Sequence, residues 1–139
     1  MREVITVFAL LISISALKAQ EEPTPEYWIF SIYFGGGNYH ISSDQEEELY
    51  KWLESIPGVE FHQISVHSHT DDIGSKRYND WLSQNRSDAA IEKLINHGIA
   101  PERISVEDFG ELNPVYDNST WEGKLKNRRV DIIVRPLEL

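Results

Sequence analysis

The pattern of hydrophobic and polar positions along this chain predicts four strands and three helices. The predicted strands are short runs rich in aromatic and β-branched residues, and they cover residues 28–34, 59–67, 103–109 and 130–134. The predicted helices begin at a Ser or Thr that can cap them, and they cover residues 42–56, 75–97 and 120–126. The order β-α-β-α-β-α-β predicts an α/β (α+β) fold: a two-layer sandwich with a mixed four-stranded sheet and helices on one face.

The beginning of the chain has a different pattern. Arg2 precedes an apolar run over residues 4–17, and Ala19 offers a small residue for cleavage, which is typical of a secretory signal peptide at residues 1–19. The run is shorter than the roughly 20 apolar residues that cross a bilayer, so we expect no transmembrane segment in the mature chain. An acidic, Pro-containing linker follows at residues 20–28, and the domain covers residues 29–136.

The composition limits the partners and cofactors of this domain. The formal net charge is −10 at pH 7, which disfavours binding to nucleic acid or to anionic lipid. The sequence has no cysteine, which excludes a lipid anchor on cysteine and a disulfide framework. The glycine run at residues 35–37 is not followed by the Lys-Ser/Thr of a phosphate-binding loop, and we predict no cofactor.

The second predicted helix carries an amide and a charge among its apolar residues. Asn79 and Arg86 are seven positions apart, almost two helical turns, so their side chains project from one face. Arg86 lies on the same arc as Leu82 and Leu94, and an arginine facing the core must be paired because its desolvation costs several kcal/mol. Its partner is either Asp71, in a salt bridge that only pins the preceding loop, or the carboxylate of a ligand.

Asp71 lies in the acidic turn before this helix. Because Asp72 or Ser75 can cap the helix equally well, we expect Asp71 to accept a hydrogen bond from a ligand ammonium group. Gly74 allows the turn to fold back and to present backbone N–H groups, such as that of Ile73, to an anion. A carboxylate, an amide and a guanidinium at one place suit a ligand that carries both an ammonium and a carboxylate group.

Several short motifs occur in the order and spacing of a known family. They begin with Ser68-His69-Thr70-Asp71 and Tyr78-Asn79, continue with Leu82-Ser83 and Arg86, and end with Asn127-Arg128-Arg129-Val130. Over roughly residues 29–135, the chain resembles the OmpA-like peptidoglycan-binding domain that occurs in OmpA, the peptidoglycan-associated lipoprotein and flagellar stator proteins.

The resemblance implies a function and a set of contacts. Domains of this family bind peptidoglycan without cutting it, through the diaminopimelate of the stem peptide. A non-enzymatic protein of the periplasm or outer membrane, which tethers an envelope component to the cell wall, is therefore expected. The ligand-binding residues that the resemblance implies are Asp71, Ile73, Asn79, Arg86 and Arg128. Arg128 depends on the resemblance alone.

The chain departs from the family pattern at three places. Ser68 replaces the usual Gly before His-Thr-Asp, and Ser87 replaces a common Ala after Arg86. The turn after the first strand usually carries an acidic residue or an Asn that can touch the ligand, whereas residues 35–38 read Gly-Gly-Gly-Asn. If this turn contacts the ligand, we expect Asn38 or backbone N–H groups to do so.

Two other kinds of site use parts of the same sequence. His67 and His69 fall on one face of a strand, and with His62 and Asp71 they could form a zinc site, but no third His or Cys has a fixed spacing to them. Carboxylates that could cleave a glycan occur near the end of the third strand, where we expect them to form a solvated rim: Glu107, Asp108 and Glu111.

A further alternative is an envelope protein–protein interaction module that keeps the fold without binding the wall. Its anchors would be aromatic residues that the sequence places outside the predicted core: Trp28, Tyr116 and Trp121. Asp71 and Arg86, which this alternative does not need, favour the wall-binding hypothesis.

Overall fold

The computed structural model describes residues 27–137, which contain four strands and three α-helices in the predicted order. The strands are β1 (Trp28–Tyr33), β2 (Gln63–His69), β3 (Ile104–Gly110) and β4 (Arg129–Arg135). The helices are α1 (Ser43–Glu54), α2 (Lys76–Asn96) and α3 (Trp121–Asn127). The predicted signal peptide and most of the predicted linker lie outside the described residues. β1 begins at Trp28, which was the first residue of the predicted strand and the last of the predicted linker.

The four strands form one mixed sheet, as the sequence predicted, and the structure gives their order as β1-β4-β2-β3. β4 is antiparallel to β1 and β2, while β2 and β3 are parallel. α1 and α2 pack on one face of this sheet. The core between these layers consists of aliphatic side chains that are at most 1% exposed: Ile32, Leu49, Leu53, Ile64, Val66, Ala90, Leu94, Val130, Ile132 and Val134. α3 lies instead beside the loop between β2 and α2, where Lys124 pairs with Asp72.

Each helix begins at a hydroxyl side chain that accepts a hydrogen bond from a backbone N–H three residues later. Ser42 caps α1 in a reciprocal arrangement with Gln45, Ser75 caps α2, and Thr120 caps α3. Because Ser75 performs this role at α2, Asp71 is not needed as a cap.

The starts of two predicted strands were wrong. Residues Val59–Phe61 and Pro101–Arg103 form short 3₁₀ turns instead. Gly58 adopts φ 66° before the first turn, and a proline at the first position favours the second, so the chain curls before each strand begins. At its other end, β2 is longer than predicted and continues to His69. Its register with β3 shifts between Ser68 and His69.

No helix within residues 27–137 is sufficiently long and apolar to cross a bilayer.

Candidate ligand-binding site

A pocket with a volume of ≈ 290 Å³ lies beyond the end of β2. The turn after β1, the loop between β2 and α2, the first half of α2 and the start of β4 surround it. Its volume is close to the lower end of the range for small-molecule sites, about 300–1,000 Å³. The pocket brings together all five residues that the sequence selected, and its lining is Gly36, Gly37, Thr70, Asp71, Ile73, Tyr78, Asn79, Leu82, Arg86 and Arg128.

Arg86 is fully buried in the wall of this pocket, and its guanidinium is held by backbone carbonyl oxygens. Its Nε donates to Asn38 (2.9 Å), Nη1 to His69 (3.0 Å) and Nη2 to Gly35 (3.1 Å). The guanidinium also lies 4.9 Å from the ring centroid of Phe34. Arginine has five N–H donors, of which three hold the surrounding loops and two make no hydrogen bond to the described residues.

Within residues 27–137, the buried guanidinium of Arg86 is hydrogen-bonded to backbone carbonyl oxygens and not to a carboxylate. The sequence left open a salt bridge to Asp71, but carbonyl oxygens accept the protein hydrogen bonds that Arg86 makes among the described residues. Burial lowers the pKa of Arg86 to about 10, while nearby Asp71 opposes this effect, so the group stays charged at neutral pH. The turn at residues 35–38, which departs from the family pattern, contributes two of the carbonyl oxygens that hold it.

Asp71 instead forms an ion pair with Arg128, which is 57 positions later in the chain. Arg128 Nε lies 2.6 Å from Asp71 Oδ2, and each side chain is only 8% exposed. The other two nitrogens of Arg128 make no hydrogen bond to the described residues. A Cβ atom at Gly36 would lie 3.5 Å from both of them, so the absence of a side chain at this glycine leaves these donors open to the pocket. Trp121 packs on the guanidinium, 5.0 Å from its ring centroid.

The backbone N–H of Ile73 is not free, contrary to the prediction. It donates to Asp71 Oδ1 at 3.0 Å, so the turn is closed by the same carboxylate that pairs with Arg128. Gly74 adopts φ 98°, the left-handed conformation that the folded-back turn requires. Asp71 is therefore fixed in orientation by one bond to each of its oxygens, and each oxygen retains a further lone pair.

Asn79 is 1% exposed and only half of its amide is satisfied. Its Nδ2 donates to Glu111 Oε2 at 2.9 Å, which orients the amide. Asn79 lines the pocket, and its buried Oδ1 has no hydrogen-bond partner among the described residues. An unpaired buried acceptor costs about 1–3 kcal/mol, so a donor that enters the pocket would be favoured at this atom.

Sequence reasoning missed the roles of the carboxylates near the end of β3. Glu111 is half-buried and orients Asn79, although it was expected in a solvated rim. Asp108 Oδ1 lies within hydrogen-bond distance of Ser68 Oγ (3.2 Å) and also accepts from Ser87. The two serines that depart from the family pattern therefore meet at one carboxylate, and their joint occurrence was a signal that could have indicated this contact.

The histidines of the zinc hypothesis do not share a site with Asp71. His69 points away from α2, stacks on Phe109 with centroids 5.1 Å apart, and lies 3.8 Å from Asp131 Oδ2. His62 stacks on Trp28 near the start of β2. Within residues 27–137, no three His, Asp or Glu side chains are grouped so that they could hold a metal ion.

Comparison with known proteins identifies relatives over most of this chain. The OmpA family profile matches residues 33–128. The outer-membrane lipoprotein YfiB of Pseudomonas aeruginosa is 31% identical over 113 residues, which are 78% of this chain and 67% of YfiB. The peptidoglycan-binding protein ArfA of Mycobacterium bovis is 30% identical over 103 residues, 74% of this chain and 32% of ArfA. Outer membrane porin F of Pseudomonas fluorescens is 45% identical over 71 residues, 51% of this chain but 22% of the porin.

Solved structures share the fold. The C-terminal domain of Helicobacter pylori MotB has a TM-score of 0.66 at 26% identity, with 78% of this chain and 85% of that chain covered. The cell wall anchor of the type VI secretion system (T6SS) from Pseudomonas aeruginosa has a TM-score of 0.61 at 25% identity, with 80% and 82% covered. The likeness includes the mixed four-stranded sheet and the three helices described above.

Proposed function

This chain belongs to the OmpA family, and on that basis we propose that its domain binds peptidoglycan non-covalently through the diaminopimelate of the stem peptide. Two of the similar proteins support a wall partner by their names, the peptidoglycan-binding protein ArfA and the T6SS cell wall anchor. None of the similar proteins described above is named as an enzyme, and we propose binding without catalysis.

The observation that carries this proposal is the unpaired Oδ1 of Asn79 in a pocket of fixed charges. A diaminopimelate residue ends in an ammonium and a carboxylate on one carbon atom. Asp71 and the Asn79 Oδ1 accept from the ammonium. The free Nη groups of Arg128, together with the two remaining N–H groups of Arg86, donate to the carboxylate.

A zwitterionic ligand does not change the net charge of the pocket, because it adds one charge of each sign. Asp71 and Arg128 cancel as a pair, and the guanidinium of Arg86 adds one positive charge. The N–H of Ile73 then has an indirect role, because it orients Asp71 rather than the ligand. Lysine, which lacks the second carboxylate, would leave the Arg128 donors unpaired.

We place this binding in the cell envelope, where the domain tethers an envelope component to the wall. The porin and lipoprotein names among its relatives support such a location. The chain spans about a fifth to two thirds of the length of these relatives, so their names do not identify the component that it tethers.

The test is co-sedimentation with purified, protein-free sacculi whose stem peptides contain diaminopimelate. Wild-type protein should sediment with them, and Asp71→Asn should weaken binding by about 2–5 kcal/mol because the ligand ammonium loses its charged partner. Asp72→Asn is the matched control, since this neighbouring carboxylate is exposed, pairs with Lys124 and does not line the pocket.

Sacculi that carry lysine at the same stem position distinguish the ligand chemistry. Weaker retention on lysine sacculi supports recognition of the zwitterionic end. Equal retention on both walls, or equal losses in Asp71→Asn and Asp72→Asn, would refute the proposed site. Failure of the wild-type protein to bind protein-free sacculi, with retention on sacculi that still carry envelope proteins, would favour a protein–protein module instead.

A further inference from the structure

Three aromatic side chains form a continuous exposed surface beside the pocket, which we call the aromatic shelf: Tyr39, Tyr78 and Trp81. The ring centroids of Tyr39 and Trp81 are 5.8 Å apart in an edge-to-face contact, and those of Tyr78 and Trp81 are 5.8 Å apart in a tilted contact. Their exposed fractions are 42%, 41% and 47%, respectively. The rings are therefore ordered by contact with one another while a large part of each stays accessible.

The aromatic shelf is continuous with the pocket. Tyr78 belongs to both, because it lines the pocket and contacts Trp81. A Cβ atom at Gly37 in the pocket wall would lie 3.0 Å from the Tyr78 hydroxyl oxygen, so this turn and the tyrosine are in close contact. Tyr39 follows in the same turn, and Trp81 is one helical turn beyond Tyr78 on α2. A ligand that fills the pocket and continues beyond Tyr78 in this direction would pass over the shelf.

The chemistry of the shelf suits a sugar. A pyranose ring presents C–H groups on its faces and hydroxyl groups at its edge, whereas an aromatic ring offers an apolar face and tyrosine adds a hydrogen-bonding hydroxyl. A net charge of −10 disfavours a polyanion such as a nucleic acid, which also stacks on aromatic rings. An uncharged or weakly charged glycan has no such penalty.

We propose that the aromatic shelf binds the glycan part of peptidoglycan next to the stem peptide whose diaminopimelate fills the pocket. This inference rests on the proposed function, because it assigns a second contact to the same ligand. Two residues separate diaminopimelate from the sugar in a stem peptide, and an extended chain spans about 3.3–3.6 Å per residue. The ring centroids of the shelf are 5.8 Å apart from Tyr78 to Trp81 and again from Trp81 to Tyr39, steps of the same order as this span.

The test compares two soluble ligands by isothermal titration calorimetry. One is the diaminopimelate-containing stem peptide alone, and the other is the muropeptide in which the same peptide is linked to its disaccharide. Wild-type protein should bind the muropeptide at least about threefold more tightly than the peptide, which is the effect of one aromatic contact. Trp81→Ala and Tyr39→Ala should each lose most of this preference, a fall of about threefold in muropeptide affinity, and keep the affinity for the peptide.

Phe61→Ala is the matched control, because Phe61 is 62% exposed and lies before the start of β2, at the opposite end of the strand from the pocket. Its affinity for both ligands should equal that of the wild type. Trp81→Phe, which keeps a ring at the position, should retain most of the muropeptide preference. Thermal unfolding of each variant shows whether the substitution has altered the fold.

The outcomes separate the two proposals. If the wild type binds peptide and muropeptide equally, the shelf inference fails and the pocket proposal stands. If the shelf variants lose affinity for both ligands equally, these residues support the pocket and do not bind sugar. If neither ligand binds the wild-type protein, both proposals fail together.

Discussion

Asp71 and Arg128 form an ion pair in the wall of the pocket, with Nε and Oδ2 2.6 Å apart. This pair fixes the loop after β2 against the start of β4 and places both charges beside the space in which a ligand would lie. Arg86, which the sequence offered as the partner of Asp71, is held by backbone carbonyl oxygens instead. The two arginines therefore differ in their protein contacts: Arg86 holds the loops through carbonyl oxygens, and Arg128 pairs with the Asp71 carboxylate.

The buried pair should be strongly coupled in the folded state. Asp71→Asn and Arg128→Gln should each destabilise the protein, because each leaves the opposite charge nearly buried without its partner. The double variant should be less destabilised than the sum of the single variants, with a coupling energy of about 1.5–3 kcal/mol. Urea unfolding of the four proteins measures this value.

The exposed pair Glu47–Lys51 on α1 provides the control for this cycle. Its side chains are 65% and 70% exposed, so water and salt screen the pair and the corresponding coupling energy should be much smaller than that of Asp71–Arg128. Equal coupling in the two cycles would mean that burial does not strengthen the Asp71–Arg128 interaction.

Arg86 should be a determinant of stability as well as of the site. Arg86→Lys keeps the positive charge, but a single ammonium group cannot reach three carbonyl oxygens that a planar guanidinium satisfies together. Because buried carbonyls would lose their donors, we expect a loss of about 2–4 kcal/mol in the free energy of unfolding. Arg77→Lys, at an exposed position on the same helix, should change it by less than about 0.5 kcal/mol. If Arg86→Lys is as stable as the wild type, the hydrogen bonds from Arg86 to the loop carbonyls do not stabilise the fold.

The fold was predictable from local patterns because each helix carries its own start signal and each strand its own apolar run. Ser42, Ser75 and Thr120 act as caps at the predicted helix starts, where the sequence had left Ser42 or Ser43 open for α1 and Asp72 or Ser75 open for α2. One error occurred at Val59–Phe61, where two apolar residues after a glycine fit a strand and a tight turn equally well, and the other was at Arg103, the last residue of a turn that begins at Pro101.

The candidate site was predictable only where helical periodicity or family resemblance selected a residue. Asn79 and Arg86 share a helix face, and the structure buries both in one pocket. The partners of Arg86 are backbone carbonyl oxygens, which every residue has, so no side-chain pattern could select them. The Asp71–Arg128 pair joins residues 57 positions apart, which only the tertiary structure brings together. The binding roles of all five selected residues stay predictions.

His69 should make stability depend on pH below neutrality. Burial, with the nearby charge of Arg129, lowers the pKa of His69 to about 4, although Asp131 opposes this shift. An unfolded histidine titrates near 6.5, so between about pH 6.5 and 4 the unfolded state binds more protons than the folded state. Stability should therefore be complete above pH 6.5 and fall by about 3 kcal/mol from this group as the pH drops to 4.

The measurement is the free energy of unfolding between pH 7 and pH 4 in wild type and His69→Gln. Other groups titrate in this range, but the difference between the two proteins isolates His69. The variant should lose about 3 kcal/mol less than the wild type over this interval. His40→Gln, at an exposed position, should follow the wild-type curve. Parallel curves for wild type and His69→Gln would show that His69 is not held neutral by its surroundings.

Gly36 should be required for ligand binding and not for folding. A Cβ atom at this position would lie 3.5 Å from the guanidinium of Arg128, an ordinary contact that strains nothing but covers the open Nη groups. Gly36→Ala should thus fold with unchanged or slightly higher stability, because alanine reduces the freedom of the unfolded chain. It should weaken binding to diaminopimelate-containing peptide by about 1.5–3 kcal/mol, the value of a charge-assisted hydrogen bond.

Gly35→Ala is the matched control for Gly36→Ala. The added Cβ atom would approach only Asn38, at 3.9 Å, and Gly35 does not line the pocket. Calorimetric titration of both variants with the same peptide should show a loss for Gly36→Ala and wild-type affinity for Gly35→Ala. If Gly36→Ala binds as well as the wild type, the ligand carboxylate does not use this face of Arg128. The two remaining N–H groups of Arg86 would then be left to hold the ligand carboxylate.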